Sequence, residues 1–79
     1  MEETKHFIEM LSERGIEREW VDSTILFPDK IEDHSDGTRH YICKIAEFGN
    51  RWLRVIVNVN SVPERRVTAF FDRRLRRLK

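Results

Sequence analysis

At Pro28 the spacing of apolar residues changes period, and that change limits the chain to a few architectures. Before it, Phe7, Met10 and Leu11, then Trp20, Val21, Thr24 and Ile25, recur at the three- and four-residue spacing of a helix face. After it, apolar residues alternate. The clearest case is Arg51 to Asn60, where Leu53, Val55, Val57 and Val59 point one way and Trp52, Arg54, Ile56, Asn58 and Asn60 the other. A helical half followed by a strand half in 79 residues predicts a single α+β domain over 1–79. Its parts are helical 4–26, an antiparallel sheet over 30–71 and a basic tail over 72–79.

Local signals set the boundaries. Thr4 is placed to cap a helix over 4–14, and Gly15 to end it in the left-handed conformation. A shorter helix over 17–26 carries Glu17 and Glu19 in its first turn, where the helix dipole favours acid, and Pro28 stops it. Four strands follow: 30–33, 38–47, 51–60 and 65–71. Their turns are His34-Ser35-Asp36-Gly37, Phe48-Gly49-Asn50 and Ser61-Val62-Pro63-Glu64. Connections this short predict an antiparallel meander with both helices on one face. For the tail, Asp72 to Lys79, two readings are open: one or two helical turns anchored by Leu75 and Leu78, or a solvated basic run.

Alternation assigns the faces. Leu53, Val55, Val57 and Val59, with Val67, Ala69 and Phe71 on the last strand, form the side expected under the helices. The other side carries Trp52, Arg54, Asn58, Arg66, Thr68 and Phe70. Such a face suits stacked bases and paired phosphates, or equally a minor core or a dimer interface rimmed by arginines. The strand over 38–47 leaves its inward side open. His40, Ile42 and Lys44 face one way, and Arg39, Tyr41, Cys43 and Ile45 the other.

Charge is divided unevenly. Residues 1–36 hold eleven acidic and four basic side chains, and 37–79 hold eleven basic and three acidic. The basic half is a footprint for phosphate-rich or acidic partners, unless the two halves simply attract each other within the fold. Arg73, Arg74, Arg76, Arg77 and Lys79 form the densest patch, and Arg39 and His40 a second pair beside a turn. Cys43 is the only cysteine, so no internal disulfide and no four-cysteine zinc site is expected. His6, His34 and His40 lack paired metal-ligand spacing, and no metal or cofactor is expected. No run approaches the ~18 apolar residues that span a bilayer. With an acidic, helix-like MEETKHF start, this predicts no signal peptide, no membrane partner and a reducing cytosol.

KHFIEMLSERGI, EDHSDGTRHY at 32–41, RWLRVIVNV and VTAFFDRR occur in that order. Together they resemble the small bacterial domain of unknown function 4258 over roughly 4–74, a family similar to the BrnT-type and RelE-type ribonuclease toxins of toxin–antitoxin systems. The resemblance implies a helix-then-sheet fold with an active site on the sheet face. It also implies a histidine near the first helix, matched by His6, a basic strand residue, matched by Arg54 or Arg39, and a hydroxyl on the last strand, matched by Thr68. The implied activity is metal-independent RNA cleavage by 2′-hydroxyl attack on phosphorus. Histidine would move protons and arginine would hold phosphate oxygens. Arg39, His40, Trp52, Arg66, Phe70, Arg73 and Arg74 are the expected nucleic-acid contacts. RNA and a cognate acidic antitoxin are the implied partners. The alternatives are a non-catalytic nucleic-acid- or protein-binding module on the same scaffold, and a homodimer through Trp52 and Phe70.

Overall fold

The computed structural model describes residues 1–77, and the side chains of residues 1–75. In chain order the elements are β1 (Glu2–Glu3), α1 (Lys5–Arg14), α2 (Arg18–Leu26), β2 (Lys30–Asp33), β3 (Thr38–Ile45), β4 (Arg51–Asn58) and β5 (Arg65–Phe71), with 3-10 turns at Ala46–Phe48 and Arg73–Arg77. The helix α1 begins where Thr4 Oγ1 accepts from the Phe7 amide at 3.1 Å. It ends at Gly15, whose φ of 65° needs no side chain in the way.

The sheet has the order β1-β5-β4-β3-β2. Strands β2 to β5 form the expected antiparallel meander. The expected four-stranded sheet is corrected by β1, which pairs in parallel with β5 through Glu2–Arg65 and Glu3–Arg66. Two residues are too few to leave a periodic signature. Charge holds them instead: Arg65 Nε donates to Glu2 at 2.8 Å, and Arg66 and Arg18 both clasp Glu3.

Both helices cover one face. Phe7, Met10, Leu11, Ile16, Trp20 and Val21 pack with Tyr41, Ile45, Leu53, Val55, Val57 and Ala69. Tyr41 and Ile45 thus settle the open choice on β3, and His40, Ile42 and Lys44 lie on the far face. Fully burying side chains of this size contributes about 1.5–3 kcal/mol each.

On β5 the expected alternation fails at one point. The β4–β5 register slips between Ile56 and Val57, so that Ile56 pairs with Thr68 but Val57 with Arg66. The extra residue is Val67, which was expected inward and is 43% exposed. Arg66, expected outward, lies on the helix side and donates to Glu3 and, at 2.8 Å, to Asp22 of α2. A bulge adds one residue to one strand and so reverses the parity of everything beyond it.

The far face is partly covered too. After Phe71 the chain turns across it. The Asp72 amide donates to the Trp52 carbonyl at 2.9 Å, and Leu75 is buried at the centre of the 3-10 turn. Ile42 on this face is 1% exposed. The first reading of the tail is therefore the observed one as far as Leu75. The Leu78 anchor and Lys79 lie outside the described residues, and the Arg76 and Arg77 side chains outside the described side chains.

Candidate functional site

Two features adjoin each other, one on the far face and one at the end of the sheet where Arg14 and Ile16 meet Trp52 and Phe70. The first is a polar cluster that crosses β2, β3 and β4. The ladders place Glu32 opposite His40, and Ile42 opposite Arg54. Arg54 is only 6% exposed. A buried guanidinium requires partners, and it has three: Nε donates to Asp72 Oδ2, and Nη1 to Glu32 Oε1 and His40 Nδ1, each at 2.9 Å.

That geometry fixes the protons. A guanidinium only donates, so His40 Nδ1 must accept and neutral His40 carries its proton on Nε2. Nε2 lies 3.2 Å from Thr38 Oγ1, which donates to Asp36 at 2.6 Å. Burial, with His34 and Arg54 alongside, pushes the His40 pKa down and keeps the ring neutral. The Glu32 carboxyl is held down at about 2, first by Arg54 and then by His34. His34 Nε2 lies 3.2 Å from Glu32 Oε1. Because that carboxylate is ionised it can only accept, which leaves His34 Nδ1 as the basic nitrogen. The His34 and His40 rings stack, with centroids 3.7 Å apart and planes 13° from parallel.

Glu32, His34 and His40 bring their donor atoms within 4.8 Å of one another, which is a ligand set zinc accepts. Two features oppose chelation. Parallel stacked rings direct their lone pairs side by side, so they do not converge on one point. Arg54 also already places a cation against Glu32 and His40. The cluster is better suited to acid–base work than to a metal.

The second feature is a cleft of about 290 Å³ at the end of the sheet, lined by Arg14, Phe48, Arg51, Trp52, Phe70 and Arg73 among others. Its aromatic wall continues inward, with Phe48 stacked on Phe71 at 4.8 Å. The Arg51 guanidinium lies 4.9 Å from the Phe48 ring centroid, and Lys44 Nζ 5.2 Å from that of Trp52. Arg14 is committed, since Nη1 donates to the Ala69 carbonyl at 2.8 Å. The acid in the wall, Asp72, is bonded to Arg54 and Arg74. Asp72 therefore joins cleft and cluster.

Of the residues expected to act together, the structure gathers some and separates others. Trp52, Phe70 and Arg73 meet in the cleft, and Arg74 stands beside it on Asp72. His40 and Arg54 meet in the cluster. His6 does not join them: it is exposed on α1, and the sheet lies between that helix and Arg54. Thr68 turns to α1, its hydroxyl 3.1 Å from Met10 Sδ and 3.3 Å from Arg14 Nη1. Arg39 is occupied by Asp33, 2.6 Å from its Nε. Arg66 is occupied on the helix side. The residues missed were Glu32, His34 and Asp72 around the cluster, and Arg14, Phe48 and Arg51 in the cleft. For Glu32 the available signal was its place across a two-strand ladder from His40.

A model of the family described as domain of unknown function (DUF4258) matches residues 4–71. No curated protein and no solved structure matches the chain.

Proposed function

The chain belongs to this family of domains of unknown function, and we propose that it binds single-stranded RNA in the cleft at the end of its sheet. The observation that carries the proposal is the meeting of Trp52, Phe70, Arg51 and Arg73 around one opening. Aromatic faces stack unpaired bases and arginines pair with phosphates, and neither demands a sequence. A closed duplex offers no free base face, so single strands are the class the cleft suits. The volume suits one nucleotide at a time.

A second reading is cleavage of the bound strand, and the Glu32–His34 contact is what favours it. A carboxylate that accepts from one imidazole nitrogen leaves the other as an oriented base. In this reading the 2′-hydroxyl proton passes to His34 Nδ1, and the 2′-oxygen forms the new bond to phosphorus. The 5′-oxygen leaves and takes a proton from water. Arg74 supplies charge to the phosphorane: its side chain is 80% exposed and anchored on Asp72. His40 serves as the neutral platform under His34. Kinship with the BrnT-type and RelE-type toxins, and an acidic antitoxin as partner, belong to this reading and rest on the shared helix-then-sheet order alone.

One titration and one digest separate the readings. A fluorescent single-stranded RNA should bind with an affinity that falls steeply with salt, and a duplex of the same sequence should bind far more weakly. Equal binding of both would remove the cleft from the proposal. Incubation with EDTA present should then give 2′,3′-cyclic ends that His34→Ala abolishes and His6→Ala does not. Binding without cleavage leaves the module reading.

A further inference from the structure

We infer that two copies of this chain pair through the outer edge of β2, forming a continuous sheet with Ile31 on the two-fold axis. Among the described residues β2 pairs with β3 alone, so one side of it is open. Exposed apolar residues lie on that strand and just before it: Leu26 is 70%, Phe27 75% and Ile31 49% exposed. Ile31 lies opposite Tyr41 of the core, so its side chain is on the helix side. An exposed apolar residue on an open strand edge favours pairing with another strand.

The backbone says which residues can pair. The His34 amide donates to the Thr38 carbonyl at 2.9 Å. In an antiparallel ladder the hydrogen-bonded pairs alternate. His34–Thr38 and Glu32–His40 are then bonded pairs, and Ile31 and Asp33 turn their N–H and C=O groups outward. A two-fold partner must pair outward residues with outward residues.

Charge then selects the register. With Glu32 on the axis, two carboxylates face each other. With Lys30 on the axis, two ammonium groups do. With Ile31 on the axis, Lys30 of each copy faces Glu32 of the other, and the two Ile31 side chains meet. In this register Asp29 of each copy faces Asp33 of the other, but Arg39 already neutralises Asp33 and the Lys44 amide donates to Asp29. Pro28, which has no N–H, ends the pairing. The occupant that fits this edge is therefore a second copy, by the opposite charges of Lys30 and Glu32, and it brings a second lysine against Glu32 of the acid–base cluster, whose own Lys30 lies 3.2 Å away. A four-residue edge places the contact among small, reversible interfaces.

Sedimentation velocity on the full chain, from about 1 μM to about 1 mM, should show a concentration-dependent dimer. Ile31→Lys should raise its dissociation constant by at least about tenfold. An independent test uses Cys43→Ser as background, since Cys43 is the only cysteine. Bonded cross-strand Cα atoms are about 5.5 Å apart, within disulfide reach. Mild oxidation should therefore cross-link Ile31→Cys much faster than Val62→Cys, which samples random collisions from a residue 98% exposed. A wild-type monomer throughout the range, a dimer unaffected by Ile31→Lys, or equal cross-linking rates would each overturn the inference.

Discussion

Arg54 Nε donates to Asp72 Oδ2 at 2.9 Å, and both side chains are almost wholly removed from solvent. This bond fastens the turn that follows β5 onto the far face of β4. Removing one partner of a buried pair strands the other charge, which costs about 3–5 kcal/mol. Asp72→Ala should lower stability by about 3 kcal/mol in urea denaturation. Arg54→Met combined with Asp72→Leu should lose less than the sum of the two single changes, because no lone charge remains between them. A loss below about 1 kcal/mol for Asp72→Ala would mean that the pair is solvated.

Arg66 and Arg73 were both expected to hold nucleic acid, and the bulge at Val67 gives them different tasks. Arg66 is enclosed by Glu3 and Asp22, whereas Arg73 lines the cleft. Arg66→Ala should lower the melting temperature and leave RNA affinity unchanged in the folded protein. Arg73→Ala should leave the melting temperature unchanged, weaken RNA binding at low salt and flatten the salt dependence by about one unit of slope. The reverse pattern would put the RNA at Arg66, away from the cleft.

Trp52 is the aromatic group best placed for stacking, half-buried at the cleft with Lys44 beside its ring. Trp52→Ala should weaken single-stranded RNA binding by about 1–3 kcal/mol, the usual loss of one stacked base, as read by fluorescence anisotropy. His6→Ala, on the other layer, should change nothing in the same assay.

Most of the fold was legible in the sequence because its elements are periodic. The alternation of Leu53, Val55 and Val57 located the helix-covered face, and Thr4 and Gly15 bounded the first helix. Three things were not legible, each for a physical reason. Glu2–Glu3 is too short to carry a period. The bulge is a property of two paired strands, and one strand read alone shows unbroken alternation through Val67. The site depends on contacts across strands: Glu32 and His40 are eight positions apart and meet only in the β2–β3 ladder, and Asp72 reaches Arg54 only because the chain folds back. His6, by contrast, fits a motif in one dimension and in three lies on α1, with the sheet between it and Arg54.

Stability should decline with acid in two stages. His40 is held neutral in the fold, so its depressed pKa contributes stability that is present above its ordinary value of 6.5 and lost as pH falls below it. Glu32 and Asp72, both held at about 2 in the fold, contribute stability present above their ordinary values of 4.5 and 3.8 and lost as pH falls towards 2. Urea midpoints measured across pH should therefore drop first below about pH 6.5 and again below about pH 4.5. His40→Gln should remove the first drop and keep the second. A single transition in both proteins would show that His40 titrates alike folded and unfolded.

The turn that presents His34 depends on Gly37, and two separable effects hold it to glycine. Its φ is 86°, a region that side chains rarely enter, and a methyl group there would collide with the Asn60 side-chain amide. The backbone is fixed on both sides, because the Gly37 amide donates to the His34 carbonyl at 3.3 Å and its carbonyl accepts from Val59 at 3.1 Å. Gly37→Ala should destabilise by about 1–2 kcal/mol from the backbone alone, with the collision added. The exposed Asn60 amide can swing aside, so Asn60→Ala in the same chain should leave the backbone penalty and bring the double variant only slightly above Gly37→Ala in stability. If the turn shifts to relieve strain, His34 moves with it. The loss of ring-current shift between the stacked His34 and His40 imidazoles, read by NMR, should track the loss of stability. Full stability in Gly37→Ala would mean that the turn tolerates another backbone conformation, and the position of His34 would then not be fixed by it.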